Sequence, residues 1–170
     1  MFVFLSFLGM LNASSTDKLL NEPNFTTIRE SYKKALSNNK SISQLKKQTD
    51  AFPKSGLALA YNATAWALMA RESSWIPDKL DYASKANEFL NKSVQLDPNN
   101  LEIRFLRFSF QCNSPDMLGY KTHLKQDKEY LIKNTPPNHP LKDIMKAYFQ
   151  KCACISASEK KTLLNLLDAS

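Results

Sequence analysis

Glycine is scarce in this chain. Three glycines in 170 residues, Gly9, Gly56 and Gly119, cannot supply the many turns of a β-sandwich or barrel. Nor do they form a glycine-rich loop for a phosphate. Histidine is scarcer still: there are two, His123 and His139. With Cys112, Cys152 and Cys154 they make no zinc-ligand spacing, so neither a metal nor a cofactor is expected. Helices carrying paired Glu-x-x-His motifs, as in di-iron bundles, are missing. No nucleophile stands beside a base with an orienting partner. That leaves no catalytic residue to assign and points to a non-enzymatic protein. Beyond the N-terminus, no apolar run is long enough to cross a membrane.

What is present is helical. Lysine, leucine, alanine, serine and asparagine dominate, and the chain is long enough for one domain with a real core. Thr26 and Thr27 can cap a first helix ending near Leu36, with Ile28, Tyr32 and Ala35 on one face. Ser41 or Ser43 opens a second, with Ile42, Leu45, Thr49 and Phe52 inward, and Pro53 ends it. The third runs from Leu57 to about Arg71, and its many alanines let neighbours approach closely. Pro77 and Asp78 suit the first turn of a fourth helix that ends at Leu96. A sixth is expected from Pro115 or Asp116 to Ile132, with Gly119 placed to break it. A seventh follows the proline-rich segment Thr135–Pro140, and Ser156 or Ser158 caps the last, whose early Glu159 complements the helix dipole. The expected fold is all-α, about seven to eight helices in antiparallel pairs.

The fifth helix is the most informative stretch. Pro98 stops the helix before it, and Asn99 or Asn100 caps the next. Beyond the turn, Leu101, Phe105, Phe108 and Cys112 form one apolar stripe, while Ile103, Leu106 and Phe110 form another. A helix apolar on two faces is packed on two sides, so Phe105 and Phe108 belong to a buried spine. Arg104 and Arg107 share a face inside that run. Two readings stand. Either at least one is buried and paired, with Asp97, Glu102, Asp127 or Glu129 as candidate partners, or both lie on a solvent stripe with their stems over the phenylalanines.

Ala86, Leu90, Val94, Leu96 and Asp97-Pro98-Asn99-Asn100 resemble the second helix and closing turn of a tetratricopeptide repeat. The next helix departs from that pattern, offering Arg104, Arg107 and Phe108 where the family has an aromatic, a leucine and a small residue. No strict 34-residue repeat recurs. The run from Gly56 to Ile132 resembles small exported bacterial proteins of degenerate tetratricopeptide-like type. The resemblance implies antiparallel helix pairs stacked in a TPR-like, right-handed superhelical array over residues 16–170, and an exported protein. It implies no activity.

Met1 to Leu11 is apolar and aromatic, and Leu11-Asn12-Ala13 precedes Ser14-Ser15. The expected reading of residues 1–15 is a signal peptide, hence a periplasmic or secreted protein. The alternative is a first helix docked on the domain. The net charge of +7 concentrates between Arg29 and Lys54, where seven basic residues face only Glu30 and Asp50. Lys33, Lys34, Lys46 and Lys47 could attract an anionic surface, either nucleic acid or membrane, through 29–54; the simpler reading is a solvated helix face. Few aromatics lie among these lysines, so single-stranded nucleic acid is not the favoured partner. Cys112 can pair with Cys152 or Cys154, or all three are small buried hydrophobes. Tyr61, Trp66, Trp75 and Tyr82 are the aromatics that could line a groove, and the simpler reading of most of them is core. Trp75, in a connection between helices, either plugs a gap or is presented to a partner. The expected function is protein–protein interaction or scaffolding with an unidentified protein or peptide. A basic adaptor acting through 29–54 is the alternative.

Overall fold

The computed structural model describes residues 23–169, so the signal peptide expected over 1–15 lies outside the described residues. Among those described there are eight α-helices and no strand: α1 (Phe25–Ser37), α2 (Ile42–Asp50), α3 (Gly56–Glu72), α4 (Ile76–Leu96), α5 (Leu101–Asn113), α6 (Leu124–Asn134), α7 (Lys142–Lys151) and α8 (Ala157–Asp168).

Successive helices pack as neighbours, except that α6 packs against α8 rather than α7. The α3–α4 contact is the most extensive, and α5 packs against α3, α4 and α6. The closeness of α3 to α4 has a local cause. A Cβ on Gly56 would lie 3.2 Å from the Ser93 carbonyl oxygen and 3.3 Å from the side chains of Leu96 and Asp97. Glycine therefore lets the start of α3 touch the end of α4. Seven buried alanines of α3 and α4, Ala58, Ala60, Ala63, Ala65, Ala70, Ala83 and Ala86, leave room for close approach along these helices.

Helix boundaries follow the cap chemistry. Asn24, rather than the expected threonines, caps α1 by accepting from the Thr27 N–H. Asn100 Oδ1 accepts from both Glu102 and Ile103 and starts α5. Ser156 and Glu159 form a reciprocal capping box on α8. The expected sixth helix is shorter than its apolar pattern suggested. Two 3₁₀ turns, Asp116–Leu118 and Lys121–His123, precede it, and Gly119 between them takes φ +67°. Only glycine adopts that left-handed conformation without a steric cost.

Helix α5 is the spine. Every residue from Glu102 to Phe108 is buried, so all its faces are covered. Phe105 meets Tyr148 and Phe149 edge-on at 5.7 and 5.8 Å between ring centres, and Phe108 meets Tyr148 at 6.2 Å. Such pairs contribute about 0.5–1.5 kcal/mol each beyond area burial.

Candidate functional site

Sealing α5 on all faces forces its charged residues to find partners inside. Glu102 accepts from Arg29 Nε at 3.0 and 3.1 Å and from Arg29 NH2 at 2.8 Å. The Tyr61 hydroxyl donates to the same carboxylate. His139 Nε2 stands 3.9 Å from Glu102, and its Nδ1 accepts from the Leu141 N–H at 3.1 Å, which places the ring proton on Nε2. Hydrogen bonding to Glu102 raises the Arg29 pKa. Burial, reinforced by the Glu102 charge, raises both Tyr61 and Tyr32. Burial lowers His139, against an opposing pull from Glu102.

Asp127, on α6, holds a second cluster. It is fully buried. Arg104 NH1 donates to it at 2.8 Å, and Arg107 donates through Nε at 2.7 Å and NH2 at 2.8 Å. Arg104 Nε also donates to the Pro98 carbonyl at 3.0 Å, and Arg107 NH1 to Asn91 Oδ1 at 3.1 Å. Both arginines are therefore buried and paired, and the solvent-stripe reading is set aside. Glu102, one of the four expected partners, turns instead to Arg29. With a guanidinium and a phenol donating to Glu102 and two guanidinium groups donating to Asp127, these carboxylates act as internal fastenings between helices.

The surface offers different chemistry. The aromatics expected to line a groove do not share one, although Trp66 and Tyr82 lie side by side. Tyr61 is completely buried, edge-on to Tyr32 at 5.4 Å, so it lines no groove. Trp66 carries two ammonium groups on its ring, Lys46 at 4.7 Å and Lys85 at 4.8 Å, with Tyr82 alongside at 5.3 Å. Each lysine is also paired on its own helix, Lys46 with Asp50 at 2.8 Å and Lys85 with Asp81 at 2.7 Å. Trp66 is a clip joining α2, α3 and α4. The basic run is thinned in the same way: Arg29 is committed to Glu102 and Lys46 to Asp50, while Lys33, Lys34 and Lys47 are exposed. A shallow cleft of about 460 Å³, lined by Asn39, Lys40, Met69, Asp78 and Tyr82 among others, contains none of Tyr61, Trp66 or Trp75.

Trp75 is presented, not a plug. It is 66% exposed, and it is followed by Ile76 at 61% and Leu80 at 47%. Helix lengths explain this. At 1.5 Å per residue, the 21 residues of α4 span roughly 31 Å and the 13 of α5 roughly 20 Å. The Arg107–Asn91 hydrogen bond shows α5 running back antiparallel along α4 from the Pro98 turn. Helix α5 thus ends before the first two turns of α4, and nothing from it covers Ile76 or Leu80. The backbone beneath is well tied: Ser73 Oγ bonds both the N–H and the carbonyl of Trp75 at 3.2 Å, and a proline opens α4. Ile76 and Leu80 escaped the sequence reading because helical spacing alone assigns them to the inward face.

Cys112 and Cys154 form a disulfide, and Cys152 is a free, buried thiol. All three sulfurs lie within 4.8 Å of one another. Residues two apart would diverge on a helix, but α7 ends at Lys151 and Cys152 is already extended, at ψ 127°.

No family model, curated protein or solved structure matches the chain.

Proposed function

We propose that this chain is a non-enzymatic interaction module, exported to the periplasm or the exterior, that docks on another protein through Trp75, Ile76 and Leu80. One observation carries the reading. Three large apolar side chains stand on a firmly tied helix start, exposed because the neighbouring helix is too short to cover them. Isolated exposed apolar residues need no explanation, but a tryptophan grouped with two aliphatics resembles an interface anchor. A rigid backbone lowers the ordering cost of binding. Asp78, Lys79 and Asp81 intersperse the trio with mixed charge, which suits an apolar groove with a polar rim better than a uniformly charged surface.

Antiparallel helix pairs and the tight Gly56 contact support a degenerate tetratricopeptide-like stack. The Cys112–Cys154 disulfide supports export, since such bonds persist in oxidising compartments.

The test compares the wild-type chain with the Trp75→Ala/Ile76→Ser/Leu80→Ser variant as baits on the host envelope fraction. The expected result is a partner, identified by mass spectrometry, that the wild type retains and the variant loses. That partner, purified, should shift Trp75 fluorescence in a Trp66→Phe background. Equal retention by both baits overturns the surface assignment. Trio-dependent dimerisation in sedimentation experiments, without a partner, would make the occupant a second copy of this chain.

A further inference from the structure

Cys152 lies buried with its sulfur 3.5 Å from Cys112 Sγ, one end of the Cys112–Cys154 disulfide. That separation is within the range of a near-attack arrangement. We propose that Cys112, Cys152 and Cys154 form a thiol–disulfide exchange centre, in which Cys152 frees Cys154 to take up a small external disulfide.

The step conserves atoms and electrons. Cys152 gives up its proton, and its thiolate attacks Cys112 Sγ. A Cys112–Cys152 bond forms, the Cys112–Cys154 bond breaks, and Cys154 leaves as the thiolate. Cys154 then attacks one sulfur of an external disulfide. A mixed disulfide forms on Cys154, and the other half departs as a thiolate that takes the proton lost by Cys152. Nothing is oxidised or reduced in the first exchange. In the second, the external disulfide is the oxidant.

Two structural features favour this order. Cys152 is buried and Cys154 half-buried, so exchange moves the reactive sulfur outward. Both sit in the non-helical connection between α7 and α8, where rotation does not break a helix. Cys152 Sγ also lies within 4.8 Å of Cys154 Sγ, so it approaches the disulfide from the side. In-line attack requires entering and leaving sulfurs on opposite sides of Cys112, so the Cys152 side chain has to turn before the exchange.

The centre does not depend on the Trp75 surface. To test it, the native oxidised chain is incubated with oxidised glutathione, quenched with acid and mapped by peptide mass. The expected product carries glutathione on Cys154 together with a Cys112–Cys152 bond. In Cys152→Ser, whose fold is checked by circular dichroism and whose Cys112–Cys154 bond is mapped, the adduct is lost. Glutathione on Cys152 with the Cys112–Cys154 bond intact overturns the proposal. So does the absence of any adduct on the native chain, or an adduct on Cys154 that survives Cys152→Ser.

Discussion

Helix α5 and the first turns of α4 invert the usual distribution of side chains in opposite ways. Helix α5 hides Glu102, Arg104 and Arg107, while α4 exposes Ile76 and Leu80. Coverage by neighbours decides both. Helix α5 is packed by α3, α4 and α6, so any charge on it must be matched internally. The start of α4 outruns α5, so apolar residues there meet water. Polarity inside α5 is thus a consequence of burial and is matched by named partners. Among the described residues, apolarity outside α4 has no such match, and a feature without an internal explanation is the better candidate for function.

The most damaging way to break the buried side of this comparison is Asp127→Ala. It leaves Arg104 and Arg107 buried without their anion, and removing one partner from a buried ion pair costs about 3–5 kcal/mol. Urea denaturation should show a lower midpoint at an unchanged slope. Replacing Arg104, Arg107 and Asp127 together by apolar residues of similar volume should recover most of that loss, because charge and counter-charge disappear together. If the triple variant is as weak as Asp127→Ala, the cluster contributes more than mutual neutralisation.

Glu102→Gln should cost less, about 1–3 kcal/mol. Arg29 is only partly buried, so its freed guanidinium can turn to water, and glutamine still accepts from Tyr61. His139 sharpens this cluster through pH. Burial lowers its folded pKa below the ordinary histidine value of 6.5, so the unfolded chain takes up the proton first as pH falls. Stability should be full above pH 6.5 and decline as pH drops through that value toward the lower folded one. His139→Asn should flatten the decline, and Glu102→Gln should steepen it, because the carboxylate opposes the burial effect. A second loss, at lower pH, belongs to Glu159. Its partner Lys128, 2.9 Å away, and the Ser156 N–H hold it at about 2. Its contribution is present above the ordinary carboxylate value of 4.5 and is lost as pH falls from there toward about 2.

How legible these features were depended on how far the cause lies along the chain. The stop and start at Asp97–Asn100 could be read directly, because a proline and an asparagine act within a few residues. That Arg104 or Arg107 would need a carboxylate followed from the apolar run around them. The choice of Asp127 over Asp97 or Glu129 did not, since it depends on where two 3₁₀ turns deliver α6. The Arg29–Glu102 bond joins residues 73 apart and left no local signal. Trp66 read as a groove residue because its covering lysines come from two other helices. The cysteine cluster was obscured by treating Cys152 and Cys154 as helical, whereas the helix ends one residue earlier. The charge counted over Arg29–Lys54 is thinned in space, with Arg29 drawn inward and Lys46 tied to Asp50 and Trp66, while Lys33, Lys34, Lys40, Lys47 and Lys54 stay exposed.

The exposed side of the comparison should be broken with almost no change in stability. Phe105→Ala, in the middle of α5, should cost about 3–5 kcal/mol by removing a ring that contacts Tyr148 and Phe149. The Trp75→Ala/Ile76→Ser/Leu80→Ser variant removes three large apolar groups, yet each substitution should stay within about 0.5 kcal/mol, as surface changes do. A loss comparable to that of Phe105→Ala would mean that these side chains are covered in solution by part of the chain itself. They would then belong to the core. A neutral result leaves three apolar side chains whose presence folding does not require, and binding becomes the physical reason for keeping them at the open end of α4.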